Sequence, residues 1–318
     1  MRDAMDAAIE AISSAPSLAI TCHINPDGDA LGSSLALAHA ARRAGIDAVV
    51  SFGGEFVIPD SLAFLDLEPL VPVDSFPKAP ECLVVFDVAA PDRLGEIAAV
   101  AEQAGTVIVV DHHVSNTGFG DIAVIDPAAA AAAQLATYLI DGLGWEIDST
   151  VALCLMTGLV TDTGRFQYSV TTGEVMRVAA RLLDAGVEPE VIGQHIYESV
   201  PFGYLAVSAA VLGRAVLDRR RGLVWSTVTE KDLKSAGVEY SQTDGLIDDL
   251  RIAREADVAL LLRETPDGWK GSMRSRGGAD VAAIAATFGG GGHHNAAGFH
   301  AHIGVGEIVE QILEAIDG

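Results

Sequence analysis

Residues 20–34, Ile-Thr-Cys-His-Ile-Asn-Pro-Asp-Gly-Asp-Ala-Leu-Gly-Ser-Ser, constrain the fold more than any other stretch. The apolar run at 18–22 reads as a short buried strand, a polar turn broken by Pro and Gly follows, and an Ala/Leu-rich helix is predicted at 30–44. Such a strand–turn–helix belongs to an open α/β sheet, in which ligands sit beyond the carboxyl ends of the strands. The turn carries His23, Asp27 and Asp29, with Gly28 letting the backbone fold between the two carboxylates. Oxygen ligands with one imidazole and no thiolate suit Mn²⁺ or Mg²⁺ better than a softer metal. The competing reading is an Asp-rich turn that only caps the helix.

The rest of the first half alternates strand and helix signals. Strands are predicted at 48–52, 82–86, 106–110 and 122–125, and helices at 95–103, 128–139, 148–160, 172–185 and 189–198. Alternation with short connections argues for a mostly parallel sheet with helices on both faces. The alanine run at 128–133 is read as the start of a tightly packed helix, since alanine is the best helix former. Val200-Pro201-Phe202-Gly203 then breaks the pattern. The expected organisation is an α/β domain over 1–199, a linker over 200–205 and a smaller α+β domain over 206–318. Within the smaller domain, strands are predicted at 223–229, 258–263, 269–274 and 298–302. Helices are predicted there at 204–217, 245–253, 281–288 and 306–316, with a basic turn at Arg219-Arg220-Arg221-Gly222.

Composition narrows the function classes. With 318 residues, half of them hydrophobic, the chain can build two cores. No apolar run reaches the length of a membrane span, and no membrane association is expected. The N-terminal MRDAMDAAIEAISS reads as an acidic amphipathic helix rather than a signal peptide. Cys22, Cys82 and Cys154 lie in apolar stretches without paired spacing, as buried reduced thiols do, so a cytoplasmic location is expected. The formal net charge of -24 repels long nucleic acid, whose binding depends on neutralising phosphates. It permits a small phosphorylated ligand held by metal ions and a few local arginines.

Four clusters carry the chemistry: His23/Asp27/Asp29, then Asp87, then Asp111-His112-His113, then Asp162, each following a predicted apolar element. Polar residues at the ends of parallel strands converge in space. So much charge at one edge calls for cations. Two divalent ions about 3.5–4 Å apart, sharing a carboxylate, stabilise the attacking and leaving oxygens of a phosphoryl displacement and generate hydroxide near neutral pH. Further along, Gly290, Gly291 and Gly292, followed by His293 and His294, offer backbone amides and imidazoles to an anionic ligand. Arg274, at the end of a predicted strand, is placed to grip a phosphate bidentately. A glycine run is also an ordinary helix end. His39, His195, His300 and His302 are read as surface or satisfied core residues.

These motifs, in this order, resemble the DHH phosphoesterase family over essentially the whole chain, in particular its DHH–DHHA1 members of the NrnA-type oligoribonuclease/pAp phosphatase kind. The resemblance implies that His23 and Asp27 bind one Mn²⁺, that Asp29, His112 and Asp162 bind the other, and that Asp87 bridges them, with Mg²⁺ the alternative metal. It implies that His113 faces the substrate phosphate. Asp111 orients the histidines or acts in the reaction itself, and the sequence leaves both roles open. The glycine–histidine segment, with Arg274, resembles the DHHA1 substrate loop. The implied activity is hydrolysis of short oligoribonucleotides, of 3′-phosphoadenosine 5′-phosphate (pAp), or of both, and a homodimer is left open. Hydrolysis of cyclic-di-AMP or its product pApA is the alternative reading. A non-catalytic nucleotide sensor is disfavoured because all six ligand positions are filled. Exonucleases similar to RecJ are expected to carry an added domain for which no length remains here, and the family's pyrophosphatases to lack the glycine–histidine loop.

Overall fold

Strands buried on both faces need continuous apolar runs, and the first half of the chain supplies five of them. The computed structural model describes residues 1–317; Gly318, the last residue of the expected second domain, lies outside the described residues. The chain divides into two compact units, Met1–Glu198 and Ser199–Gly318. The first unit contains, in order, α1 (Arg2–Ser14), β1 (Ser17–Cys22), α2 (Gly28–Arg43), β2 (Asp47–Phe52), β3 (Cys82–Phe86), α3 (Ala98–Ala101), β4 (Thr106–Asp111) and β5 (Ile122–Ile125). Helices α4 (Ala132–Gly142), α5 (Ser149–Asp162), α6 (Gly173–Asp184) and α7 (Pro189–Ile192) follow.

Among the described residues the first sheet has five strands in the order β2-β1-β3-β4-β5, all parallel. One face, including Ile20, Val84, Phe86, Ile108 and Val110, packs against α1, α2, α4 and α5. The other, including Ala19, Leu83, Val85 and Val109, is covered by Phe76, Leu94, Ile97 and Val100. Both faces are therefore covered, as the alternating pattern predicts. The connection after β1 leads to β2 on one side and that after β3 to β4 on the other, so a crevice opens at the carboxyl ends of β1 and β3. Cys22, Cys82 and Cys154 are free and buried; burial pushes the Cys82 thiol up to about 11 and that of Cys154 up to about 12. No described helix is long and apolar enough to cross a membrane.

The second unit contains α8 (Gly203–Gly213), β6 (Val216–Asp218), β7 (Leu223–Val228), α9 (Glu230–Ala236), α10 (Leu246–Arg251), β8 (Val258–Thr265) and β9 (Gly268–Ser275). It ends with α11 (Val281–Ala286), β10 (Gly291–His293), β11 (Ala296–Ala301) and α12 (Val305–Asp317). Its described sheet has the order β10-β11-β9-β8-β7-β6, with β7 and β8 parallel and the other pairs antiparallel. One face packs Leu260, Leu262, Met273 and Phe299 against Val281, Ile284, Ile308 and Ile312 of α11 and α12. Val224, Ala259 and Leu261 on the other pack against Val207 and Val211 of α8 and Leu246, Ile247 and Leu250 of α10.

Several predicted bounds shift for identifiable reasons. The helix expected at 128–139 begins only at Ala132, because the carboxylate of Asp29 accepts from the Ala132 and Ala133 amides and fixes the start of α4 there. The helix expected at 95–103 is a 3₁₀ segment, Pro91–Ile97, kinked within itself at Gly95 (φ 57°) and followed by the short α3. The helix expected at 204–217 stops at Gly213, and 216–218 turns back as the edge strand β6. Asp218 holds that reversal by accepting from the Arg220 and Arg221 amides. The glycine run, expected as a loop, enters the sheet as β10.

Helices α2 and α5 approach closely because glycines line their seam. A Cβ on Gly32 would run into the Cys154 carbonyl oxygen, and one on Gly28 would lie 2.7 Å from Thr161 Cγ2. Overpacking such a seam costs about 1–3 kcal/mol. Gly32→Ala should therefore lower the urea midpoint by that equivalent, whereas Gly193→Ala, where a Cβ meets nothing within 4 Å, should leave it nearly unchanged. Equal midpoints for the two variants would show that the seam tolerates a methyl group.

Candidate active site

The turn after β1 performs two tasks with one aspartate. Asp27 is the N-cap of α2: its Oδ1 accepts from the amides of Asp29 and Ala30 at 3.1 and 3.0 Å. Its Oδ2 lies 3.7 Å from His23 Nε2. The capping reading and the ligand reading thus apply to different oxygens of the same carboxylate. His23 is oriented by the chain beside it, its Nδ1 donating to the Ile24 carbonyl at 2.8 Å. A carbonyl only accepts, so Nδ1 carries a proton, and Nε2 is the nitrogen that faces Asp27 and Asp87.

Asp87 follows β3 directly. Its amide donates to Val110 O at 3.0 Å, and its φ of 58° is left-handed, a conformation that costs a non-glycine residue about 1–3 kcal/mol. The result is a carboxylate between three imidazoles: Oδ2 is 3.5 Å from His23 Nε2, and Oδ1 is 3.4 Å from both His112 Nε2 and His113 Nδ1. Asp87 is 3% exposed, and its Oδ1 accepts no hydrogen bond among the described residues. His112 Nε2 lies 3.7 Å from Asp29 Oδ2 and 3.2 Å from Asp162 Oδ2, with its Nδ1 turned to the Ala129 carbonyl at 3.4 Å. All six residues expected as metal ligands therefore come together, in two subsets that share Asp87: His23/Asp27/Asp87 and Asp29/Asp87/His112 with Asp162.

Burial works against charge throughout this cluster, and the contacts decide the outcome. Burial would lower His23 and His112, but their close contacts with the surrounding aspartates push both well above the ordinary histidine range. Burial, reinforced by Asp162 and Asp87, drives Asp29 well above the carboxylate range. Asp162 is pushed up to about 6 by burial and by Asp27 and Asp87, against the pull of His112. Burial would raise Asp87 as well, but His112 and His23 hold it well below that range. Once these protons leave, the buried carboxylates and imidazoles form a donor set that fits hard divalent cations.

Asp111 is fully buried with both oxygens engaged. Oδ1 accepts from His113 Nδ1 at 2.7 Å and Oδ2 from Asn116 Nδ2 at 2.7 Å. Asn116, which also donates to Val88 O at 3.0 Å, was not a sequence candidate. Nothing in the local pattern marks it, because its partners lie at the ends of two other strands. The backbone amides of Ala132 and Ala133 were missed likewise; they hold Asp29 at 2.5 and 2.8 Å.

In the second unit, register aligns the remaining candidates. Arg274 on β9 pairs with Ala296 on β11, which pairs with His293 on β10, so Arg274 and His293 share one sheet face in one transverse row. Arg274 Nε lies 3.9 Å from Asp248 Oδ1, and its Nη1 donates to Met273 O at 3.1 Å. A Cβ on Gly290 would strike the Gly298 carbonyl, and one on Gly292, at φ 144°, would strike that of Ala296, so these two glycines serve close strand approach. Gly291 has open space beside it. His294 points elsewhere, with Nδ1 3.5 Å from Asp280 Oδ2 and its side chain half exposed.

Comparison with known proteins agrees with this layout. The model of the DHH family, N-terminal domain, matches residues 17–159, and that of the DHHA1 domain matches residues 223–318. The chain is 35% identical over 303 residues to the bifunctional oligoribonuclease and PAP phosphatase NrnA of Thermus thermophilus, covering 93% of this chain and 88% of that protein. An exopolyphosphatase-related protein from Bacteroides fragilis superposes with a TM-score of 0.92 at 25% identity, over 100% of this chain and 96% of the other. RecJ in complex with Mn²⁺ from Thermus thermophilus shares the fold, with a TM-score of 0.58 at 14% identity over 99% of this chain and 54% of that one. The chain belongs to the DHH family of phosphoesterases, a DHH domain followed by a DHHA1 domain.

Proposed function

We propose that this phosphoesterase hydrolyses short oligoribonucleotides and pAp, using two divalent ions, Mn²⁺ before Mg²⁺. The observation that carries the proposal is the pair of ligand subsets meeting at Asp87, whose buried Oδ1 accepts no hydrogen bond among the described residues. The name of the Thermus thermophilus relative supports the substrate class. In this reading His23 and Asp27 hold one ion, Asp29, His112 and Asp162 hold the other, and Asp87 contributes to both. Divalent ions held there supply the positive charge that attacking and leaving oxygens need in phosphoryl displacement.

The protein's own groups supply orientation. His113, its Nδ1 fixed by Asp111, addresses the substrate phosphate through its other nitrogen. Asp111 acts through His113 rather than on the substrate, because both its oxygens are engaged. Arg274 and His293 bind the part of the nucleotide that does not react. A reducing, cytoplasmic setting suits three buried free thiols.

Metal binding should strengthen with pH. In the metal-free protein Asp162 loses its proton near pH 6, and His23 and His112 lose theirs above the ordinary histidine range. Each proton must leave before a cation takes its place. Calorimetric Mn²⁺ titrations from about pH 5 to about pH 8 should gain roughly tenfold in affinity per pH unit for each proton displaced. A flat profile would remove these groups from the ligand set. As the shared ligand, Asp87 replaced by Ala should cost more kcat/KM than Asp27→Ala, and more than the roughly 10–100-fold typical of losing a supporting residue around a metal. Comparable turnover of Asp87→Ala and wild type would contradict the bridge.

The second unit's role is separable by substrate. Arg274→Ala and His293→Ala should each lower kcat/KM for pAp by about ten- to a hundredfold, the equivalent of roughly 1.5–3 kcal/mol for a charged hydrogen bond. Most of that loss should appear in KM. Hydrolysis of bis-p-nitrophenyl phosphate, which offers these residues nothing to hold, should change little. Equal losses on both substrates would place Arg274 and His293 in the chemical step or in the fold.

A further inference from the structure

Among the described residues, four that are not glycine hold a left-handed φ, and all four belong to the candidate site or adjoin it. Asn25 lies between His23 and Asp27, Asp87 is itself a candidate ligand, and Arg165 and Phe166 closely follow Asp162. Backbone strain of this kind collects at functional sites and persists only where the surroundings enforce it. Helix α5 ends at Asp162, and its end is closed by one left-handed glycine. Gly164, at φ 55°, donates to Thr161 O at 3.2 Å, and the Arg165 amide donates to Val160 O at 2.8 Å, which satisfies the last carbonyls of the helix. The cap needs nothing more, yet Arg165 and Phe166 both continue left-handed, at φ 61°. Buried Thr163 enforces this. Its Oγ1 accepts from the Phe166 amide at 3.0 Å, and its carbonyl accepts from the Gln167 and Tyr168 amides. The turn sends Phe166 onto the core of the first unit and leaves Arg165 exposed.

Arg165 is also distinguished by its charge. Arg42, Arg43, Arg177 and Arg181 of the same unit pair with Glu68, Asp148, Glu174 and Asp141. Arg165 makes no ion pair among the described residues, in a chain of net charge -24. Its guanidinium carbon lies 4.5 Å from the centre of the Tyr197 ring. The Tyr197 hydroxyl donates at 3.4 Å to Val160 O, the carbonyl that also takes the Arg165 amide. Ring and arginine are thus tied to the same turn of α5 that presents Asp162. A ring positions a guanidinium without neutralising it, and at an exposed site that contact is weaker than the bidentate hydrogen bonds a guanidinium makes to a phosphate. An arriving phosphate ester therefore wins the exchange.

We propose that Arg165 is a further catalytic residue, whose guanidinium binds non-bridging oxygens of the reacting phosphate beside Asp162. The assignment deepens the proposed function and rests on it. Arg165 differs in kind from Arg274, because it addresses the part of the substrate that reacts. A planar fork held there adds positive charge where negative charge grows during phosphoryl displacement. The left-handed turn keeps that charge next to the acid cluster while the Phe166 side chain anchors it to the core.

The test measures Mn²⁺-dependent hydrolysis of pAp and of bis-p-nitrophenyl phosphate by wild type, Arg165→Ala, Arg165→Lys and Arg165→Gly. Arg165→Ala should lower kcat by about 100- to 1,000-fold on both substrates, the size of losing one donor to developing charge. Loss on the small ester is what separates it from Arg274→Ala. Arg165→Lys, which keeps the charge without the fork, should fall between Arg165→Ala and wild type. Arg165→Gly accepts the left-handed φ without strain, so it should unfold at a higher urea concentration than Arg165→Ala and still be as slow. Calorimetric Mn²⁺ affinity should be no weaker in any variant than in wild type, since removing a nearby positive charge does not disfavour a cation. Unchanged kcat in Arg165→Ala, a loss confined to pAp, no gain in Arg165→Lys, activity that returns in Arg165→Gly, or weakened Mn²⁺ binding would each overturn the assignment. Absence of Mn²⁺-dependent hydrolysis in wild type would strike the proposed function, and the assignment with it.

Discussion

Negative charge concentrated where strands end is the constraint on which the first unit depends. Asp27, Asp29, Asp87 and Asp162 converge on two imidazoles at the carboxyl edge of the parallel sheet. Water cannot screen two of them, since Asp29 is fully buried and Asp87 nearly so. The cluster answers by holding protons: Asp162 titrates near 6 and His23 and His112 remain protonated above their ordinary range. Protons and divalent cations are then alternative occupants of one electrostatic well. Cations held there would reverse the local field that the strongly acidic chain presents to a phosphate ester.

The layout was legible where burial on both faces forces an apolar run. The runs that become β1, β3, β4 and β5 stand out in the sequence, and the polar residue after each of the first three is a candidate ligand. What was not legible is set by partners far away. The start of α4 depends on an aspartate 103 residues earlier, so the helix propensity of the alanines at 128–131 loses to a cap that no local window contains. Asn116 matters through Asp111 and Val88, on two different strand ends. Helix α9 was missed although its signal is local: Thr229 and Asp232 form a capping box, and Gly237 closes the helix at φ 64°. Strand β6 continues an apolar stretch that periodicity alone cannot divide between helix and strand.

His300 shows how register changes the meaning of a residue. From sequence it reads as a surface or satisfied core histidine, and it is exposed. Once β11 pairs with β9, it stands beside Lys270 and on the same face as Arg274. The glycine run changes meaning in the same way. As a loop, its four glycines would be equivalent amide donors to an anion. As β10 and its approach, Gly290 and Gly292 serve close strand packing, whereas Gly289 and Gly291 have open space beside them. Substrate contact is then expected from the face residues, not from the glycine run as a whole.

The candidate ligands are anchored to helix ends, which makes the site differ from metal centres that fold only around their ion. Asp27 is tied by one oxygen to the first turn of α2, and Asp29 by both oxygens to the first turn of α4. Positive helix N-termini stabilise these carboxylates with or without a cation. Asp162 ends α5, whose seam with α2 is set by glycines rather than by metal. His23 and His112 are turned by backbone carbonyls. Each donor except Asp87 therefore has a reason for its position that does not involve the others. Asp87 is the exception twice over, held in a left-handed conformation and left with an oxygen that accepts no hydrogen bond among the described residues. In the proposed two-ion reading, strain at that position, inside a frame fixed by caps, would concentrate the benefit of ion binding on Asp87, and ions would replace protons there without the sheet having to reassemble.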